Sequence, residues 1–315
     1  MKRFKNILLF GGTQDNGEFA LRRAAQLAEE NDARLTVLDV LKPVPIAMRL
    51  FSRSVEPDEL QEFVCSQRRD ELQQLCSASV PSGVSCEVKV TVGQPAVEII
   101  RAVLRNGHDL VLKTADGRGL LQRNLFGSVG MDLMRKCPCP VWIFRPDRTP
   151  GFDRIVAAVD TESPDADHNG LNDQILELAS ALAETENAEL HIVQVWQVWM
   201  EQILRGRAGM HEDEVDAMVK KQEYSVRQSL KRLLDDHGLS DAGATIHVLK
   251  GVPGYAIPEF VRHVKADLLV MGTVCRLGVQ GFLIGNTAEK ILNNVDASVL
   301  ALKPDGFVCP IQLEN

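Results

Sequence analysis

Sliding the chain 158 residues along itself lays Gly93-Gln-Pro95-Ala-Val-Glu-Ile99 on Gly251-Val-Pro253-Gly-Tyr-Ala-Ile257. The register then continues without a gap. Asp109-Leu110 meets Asp267-Leu268, Arg118 meets Arg276, Gly127 meets Gly285, Val141 meets Val299, and Pro146-Asp147 meets Pro304-Asp305. Residues 93–148 and 251–306 share 13 identities in 56 positions, where composition alone would give about three or four. The starts correspond with a different spacing: Phe4-Lys-Asn-Ile7 resembles Phe152-Asp-Arg-Ile155, and Ala33-Arg-Leu35 resembles Ala188-Glu-Leu190. A repeat this long means one fold used twice, each copy burying its own core. The 315 residues agree with two domains of roughly 150 each. The expected boundaries are 1–148 and 151–308, with Pro150-Gly151 as the linker signal and 309–315 as a C-terminal tail.

Each copy alternates strand and helix. In the first, Asn6–Phe10 is a short continuous apolar run, the pattern of a strand buried on both faces. A helix is predicted over 17–30, strands over 35–40 and 87–92, a long helix over 56–76, and a helix over 95–105 with Pro95 in its first turn, where a missing N–H costs little. Strands follow at 110–112 and 141–144. The second copy places strands near 154–159, 189–195, 245–249, 267–271 and 298–302. The expected class is therefore α/β: two tandem copies of an open parallel five-stranded sheet with helices on both faces and right-handed crossovers.

Composition narrows the partners. The formal net charge is −8, which gives no general attraction for nucleic acid or an anionic membrane surface. Ile7-Leu-Leu-Phe10 is too short for a signal-peptide core. No apolar run approaches the 18 residues of a membrane helix, and a cytoplasmic location is expected. Seven cysteines, an odd number in a long chain, argue against a disulfide framework. The close pair Cys137-Pro-Cys139 reads as buried or incidental rather than as a redox or metal site.

In open parallel sheets, ligands bind at the carboxyl ends of the strands, where strand order reverses. After the fourth strand of the second copy, Met271-Gly272 opens a glycine-bearing loop that reaches Gly285-Asn286-Thr287 at the start of a predicted helix. Glycines let backbone approach a ligand, and free N–H groups at a helix start can hold phosphate. Asn286 and Thr287 are residue types suited to N-capping. On residues alone, the loop is either a phosphate cradle or a structural turn.

Two tandem copies, each carrying G-x-P-x-x-x-I before a D-L-hydrophobic strand, resemble the universal stress protein family over nearly the whole chain. The resemblance implies a Rossmann-like domain of the adenine-nucleotide-hydrolase type, dimer-like packing of the two copies as an internal pseudo-dimer, a further homodimer in some cases, and ATP or a related adenine nucleotide in some members, with Mg²⁺ only alongside it. Nucleotide-binding members carry G-x2-G-x9-G-[ST] after the fourth strand and an Asp ending the first. In the second copy, Asp160 matches that Asp, Val195 falls at an apolar adenine wall, and Gly272 matches the first glycine. Cys275 replaces the second glycine, and Gly285 is followed by Asn286 rather than Ser or Thr. In the first copy, Thr114 replaces the first glycine, Gly117 matches the second, Gly127-Ser128 match the end, and Gly12 replaces the Asp. Neither copy holds the whole motif. The resemblance makes the second copy the better candidate, through Asp160, Val195, Met271, Gly272, Gly285, Asn286 and Thr287. Gly117, Gly127 and Ser128 form a weaker set in the first copy.

Enzyme motifs are missing. There is no Gly-Lys dipeptide for a P-loop. Phe126-Gly-Ser128-Val-Gly130 is not a nucleophile elbow, and no base or arginine finger stands out, so hydrolysis of a bound nucleotide is expected to be slow or incidental. The main expectation is a regulatory, stress-protective binder rather than a metabolic enzyme. One alternative is a nucleotide-free interaction scaffold. Another is a binder of an apolar or amphipathic metabolite along 195–204, where Val195, Trp196, Val198, Trp199, Met200, Ile203 and Leu204 gather; that stripe also suits core or domain interface.

Overall fold

The computed structural model describes residues 3–11, 17–45, 57–116, 126–145, 151–162, 166–198, 200–206, 211–240, 243–273 and 284–313. They form two compact units. Unit 1 is built from 1–150 together with 307–315, and unit 2 from 151–279 and 283–306.

In unit 1 the strands are β1 (Asn6–Phe10), β2 (Arg34–Leu41), β3 (Cys86–Val92), β4 (Leu110–Thr114) and β5 (Val141–Phe144), and the helices α1 (Gly17–Asn31), α2 (Pro57–Ser79), α3 (Pro95–Asn106) and α4 (Gly127–Lys136). The strands lie in the order β3-β2-β1-β4-β5, all parallel. β1, β4 and β5 are buried at every position, as their unbroken apolar runs require. Unit 2 repeats the plan with β6 (Arg154–Val159), β7 (Glu189–Trp196), β8 (Ala244–Lys250), β9 (Leu268–Gly272) and β10 (Ser298–Leu302). Its helices are α5 (Ala166–Glu186), α6 (Glu201–Gly206), α7 (Glu212–Asp236), α8 (Pro253–His263) and α9 (Asn286–Asn294). Its strand order is β8-β7-β6-β9-β10, again parallel. Order reverses between β1 and β4 and between β6 and β9, so each unit has its topological switch point there.

The repeated motifs do structural work. The Asp109 carboxylate accepts the N–H groups of Lys5 and Asn6 at 2.6 and 3.0 Å. The Asp267 carboxylate accepts those of Asp153 and Arg154 at 2.9 and 3.0 Å. Each aspartate clamps the start of its unit's first strand to the fourth. Gly93 and Gly251 leave the third strand by donating to Leu41 and Trp196 carbonyls at 3.0 and 2.8 Å. Pro95 and Pro253 then open the next helix, and Ile99 and Ile257 bury its inner face. At the end of that helix Gly107 is left-handed at φ 66°, and its counterpart Lys265 adopts φ 54°. A side chain resists that conformation.

The edge of unit 2 holds a histidine pair. His191 Nδ1 of β7 lies 3.1 Å from His247 Nε2 of β8, and the ring of Phe260 sits 4.4 Å from that of His247. Burial, then the neighbouring His191 and His263, hold His247 below its ordinary pKa.

Two outcomes follow. Lys265→Gly is expected to stabilise the protein by ~0.5–1 kcal/mol in urea denaturation, because glycine removes the left-handed strain at the cost of some unfolded-state entropy; unchanged or lower stability would contradict the strain. The folded state favours neutral His247 while the unfolded chain takes up its proton below pH ~6.5, so stability falls as pH drops through that value. His247→Phe should flatten this part of the pH–stability curve relative to the parent protein.

Candidate functional site

The site candidates of unit 2 meet at one edge of the sheet. Ala158 pairs with Met271 and Val159 with Gln194, so Asp160, Val195, Met271 and Gly272 stand at the carboxyl ends of three adjacent strands. The Thr273 N–H donates to the Leu302 carbonyl at 3.1 Å, and the Gly285 N–H donates to the Thr273 carbonyl at 3.2 Å. These bonds bring the start of α9, with Asn286 and Thr287, back to the end of β9. Residues 274–283, including Cys275, lie outside the described residues.

Asp160 is held by its own peptide groups. Its N–H donates to Asn172 Oδ1 at 3.0 Å, and its carbonyl accepts from Asn172 Nδ2 at 2.8 Å. Its carboxylate accepts the Glu162 N–H at 3.2 Å. Beside it, the Thr161 N–H donates to Oε1 of the fully buried Gln194 at 3.0 Å. Val195 and Met271 are core side chains and present little surface to the edge. Gly272 touches Leu171 so closely that a Cβ there would lie 2.5 Å from Leu171 Cδ2.

The structure corrects one cap assignment. Asn286 and Thr287 are residue types suited to N-capping, yet Gly285 is the N-cap, with no side-chain cap bond. The bond from Gly285 N–H to Thr273 turns the chain at the glycine, so the helix starts on the next residue. Asn286 and Thr287 are exposed first-turn residues. The first intrahelical bond runs from the Glu289 N–H to the Gly285 carbonyl at 2.9 Å. The three N–H groups before it are the kind that accept an anion at a helix start.

Sequence reasoning missed Lys303. It follows β10, is only 7% exposed, and its ammonium donates to the Thr273 hydroxyl. A buried cation thus lies beside the first residue of the loop. The signal was a lysine directly after five buried residues, Ser298–Leu302, which is not the Gly-Lys pair of a P-loop.

Unit 1 differs at the corresponding places. Gly12 and Gly117 lie outside the described residues. Asp39 occupies the strand position of Gln194, as the pairings Asn6↔Arg34 and Arg154↔Glu189 show. Its carboxylate takes Arg68 Nε at 2.6 Å, and Arg68 Nη2 donates to the Gly11 carbonyl at 3.3 Å. Lys113 in β4 is 1% exposed. Its ammonium donates to the Thr114 carbonyl at 2.6 Å and to the Asp116 carboxylate. Burial pushes Lys113 below the usual lysine pKa, and Asp116 opposes that shift. Gly127 opens α4 at φ 62°, Ser128 is exposed, and a Cβ on Gly127 would lie 1.7 Å from Asp116 Oδ2.

The segment read as an apolar stripe divides. Trp196 is buried at the end of β7, while Met200 and Ile203 are 38% and 46% exposed; Trp199 lies outside the described residues. Among the described residues, no group of three or more His, Cys, Asp or Glu is arranged to hold a metal, and no helix is long and apolar enough to cross a membrane.

The model of the universal stress protein family matches the chain twice, over residues 3–145 and 151–303. The chain belongs to the universal stress protein family. It is 28% identical over 317 residues to universal stress protein E of Escherichia coli K12, covering 100% of this chain and 99% of that one. Among solved structures, a protein of unknown function from Pseudomonas aeruginosa PAO1 superposes with a TM-score of 0.72 at 25% identity, covering 97% of this chain and 95% of that one. A universal stress protein from Archaeoglobus fulgidus shares the fold, with a TM-score of 0.62 at 19% identity over 96% and 98% of the two chains. This is a tandem-domain stress-response protein, and both copies carry the family fold.

The contact at Gly272 gives a test. Gly272→Ala drives a methyl into Leu171 and is expected to cost about 1–3 kcal/mol, read by urea denaturation. Adding Leu171→Ala should make the combined cost smaller than the sum of the two single costs. Strict additivity would mean the two residues are not in competition.

Proposed function

We propose that unit 2 binds an adenine nucleotide and that the chain acts as a regulatory ligand-binding protein of the stress response rather than as a metabolic enzyme. The observation that carries this reading is the grouping at the end of β9. An anion-accepting helix start at Gly285-Asn286-Thr287, the buried ammonium of Lys303 at Thr273, and the carboxylate of Asp160 share one sheet edge at the switch point. The cationic end suits phosphates, and a carboxylate at the far end suits the amino or hydroxyl donors of a nucleoside. The fit is incomplete at Gly272, which Leu171 covers; phosphate approach to that glycine requires Leu171 to turn away. Mg²⁺, if it enters, comes with the phosphates.

A nucleotide-free scaffold is the second reading, and the Leu171–Gly272 contact favours it. An apolar ligand is the third, and the exposed Met200 and Ile203 favour that.

Titration calorimetry with ATP is expected to show one site per chain. Asp160→Ala and Lys303→Met should each weaken it by about tenfold or more, or ~1.4 kcal/mol. Absence of heat with ATP, ADP and AMP overturns the nucleotide reading. Native mass spectrometry of freshly purified protein then separates the other two, since a scaffold carries no small molecule and an apolar-ligand binder does.

A further inference from the structure

Unit 1 contains a buried cation without a function in the nucleotide reading. Lys113 lies in a strand buried at every position, where an ammonium survives only if paired. Its partner is Asp116, three residues on. The same carboxylate lies over Gly127 at the start of α4, so close that no side chain fits there. The first turn of α4 carries no acidic residue of its own, and Asp116 supplies the negative charge that a helix start favours. One oxyanion thus sits between a buried ammonium and a helix N-terminus, at the loop position corresponding to the one where unit 2 offers its own helix start. The repeat alignment adds an independent observation. Lys113 aligns with Met271, and Asp116 with Val274. Cation and anion are present together in one copy and absent together from the other.

We propose that unit 1 holds a self-occupied oxyanion site, with the Asp116 carboxylate standing where a phosphate would sit and Lys113 as the site's cation. In the resting chain this site is closed to phosphate and phosphate esters by the protein's own side chain. Removing the carboxylate turns it into a phosphate site that depends on Lys113. The inference rests on unit 1 geometry and stands or falls separately from nucleotide binding in unit 2.

The test takes the full chain as parent and changes residues of unit 1 alone, so that any phosphate binding at unit 2 is common to every protein compared. Inorganic phosphate is titrated at constant ionic strength into this parent, into the Asp116→Ala variant, and into the Asp116→Ala, Lys113→Met variant, with calorimetry and thermal midpoint as readouts. Asp116→Ala is expected to bind phosphate at least about tenfold more tightly than the parent and to rise in midpoint with phosphate concentration. Adding Lys113→Met should abolish both gains. ATP should compete with phosphate for the opened site if it takes phosphate esters, and adenosine should not. Equal phosphate binding by parent and Asp116→Ala overturns the proposal, as does a gain that survives Lys113→Met. Should Asp116→Ala not fold, Asp116→Asn removes the charge and keeps the shape. A phosphate-dependent midpoint rise larger than the parent's then supports the proposal, and an equal rise overturns it.

Discussion

Each unit depends on one carboxylate reaching across the sheet to the start of the central strand. Asp109 and Asp267 accept paired backbone N–H groups from residues 104 and 114 positions away at the most distant. Without such an acceptor, the first donors of β1 and β6 would face the strand end unpaired, at a cost comparable to a lost hydrogen bond to a charged group. With it, the first and fourth strands are locked in register at their amino ends. Their carboxyl ends, ten residues or fewer away along each strand, then necessarily emerge side by side. The switch point is in this sense built from the opposite edge of the sheet. Contacts this far apart in sequence close long loops, which costs chain entropy before the contact forms.

The two copies share this scaffold and differ in what lies on it. At the end of the second strand, unit 1 places the Asp39–Arg68 ion pair, with the guanidinium reaching the Gly11 carbonyl. Unit 2 places the neutral Gln194, bonded to Thr161. At the fourth strand, unit 1 satisfies a buried lysine internally, and unit 2 has its buried lysine, Lys303, just after the fifth strand beside the hydroxyl of Thr273. Unit 1 pairs Lys113 with Asp116 and Arg68 with Asp39, and unit 2 places Lys303 and Asp160 near the ends of its strands.

Much of the fold was legible because buried parallel strands are short, unbroken apolar runs. The limits of β1, β5, β6 and β10 coincide with Asn6–Phe10, Val141–Phe144, Arg154–Val159 and Ser298–Leu302. Helix ends were less legible: α2 runs to Ser79 rather than 76, since nothing in Ser77-Ala-Ser79 stops a helix. The site was partly legible. The glycine-bearing loop was legible from its place after the fourth strand, and Asp160 only through the family resemblance. The lysines escaped notice because a charged residue inside or just after an apolar run reads as the run's boundary. Only side-chain geometry shows Lys113 turning to Asp116 and Lys303 to Thr273. The cap at α9 was misplaced for a related reason: residue preference favours Asn and Thr, but the tertiary bond from Gly285 to Thr273 decides where the helix begins.

Gly127 and Gly285 are the same letter in the same column of the repeat, yet they answer to different constraints. Gly127 is left-handed, and the carboxylate of Asp116 fills the space where its side chain would go. Gly285 has φ −60° and ψ 141°, an extended backbone open to any residue. One identity is enforced twice over by backbone and neighbour. The other has no such conformational enforcement, so whatever retains it must come from what approaches that turn. Residue identity between duplicated domains therefore counts inheritance, and only the backbone angle shows whether the inheritance is still being used in the same way.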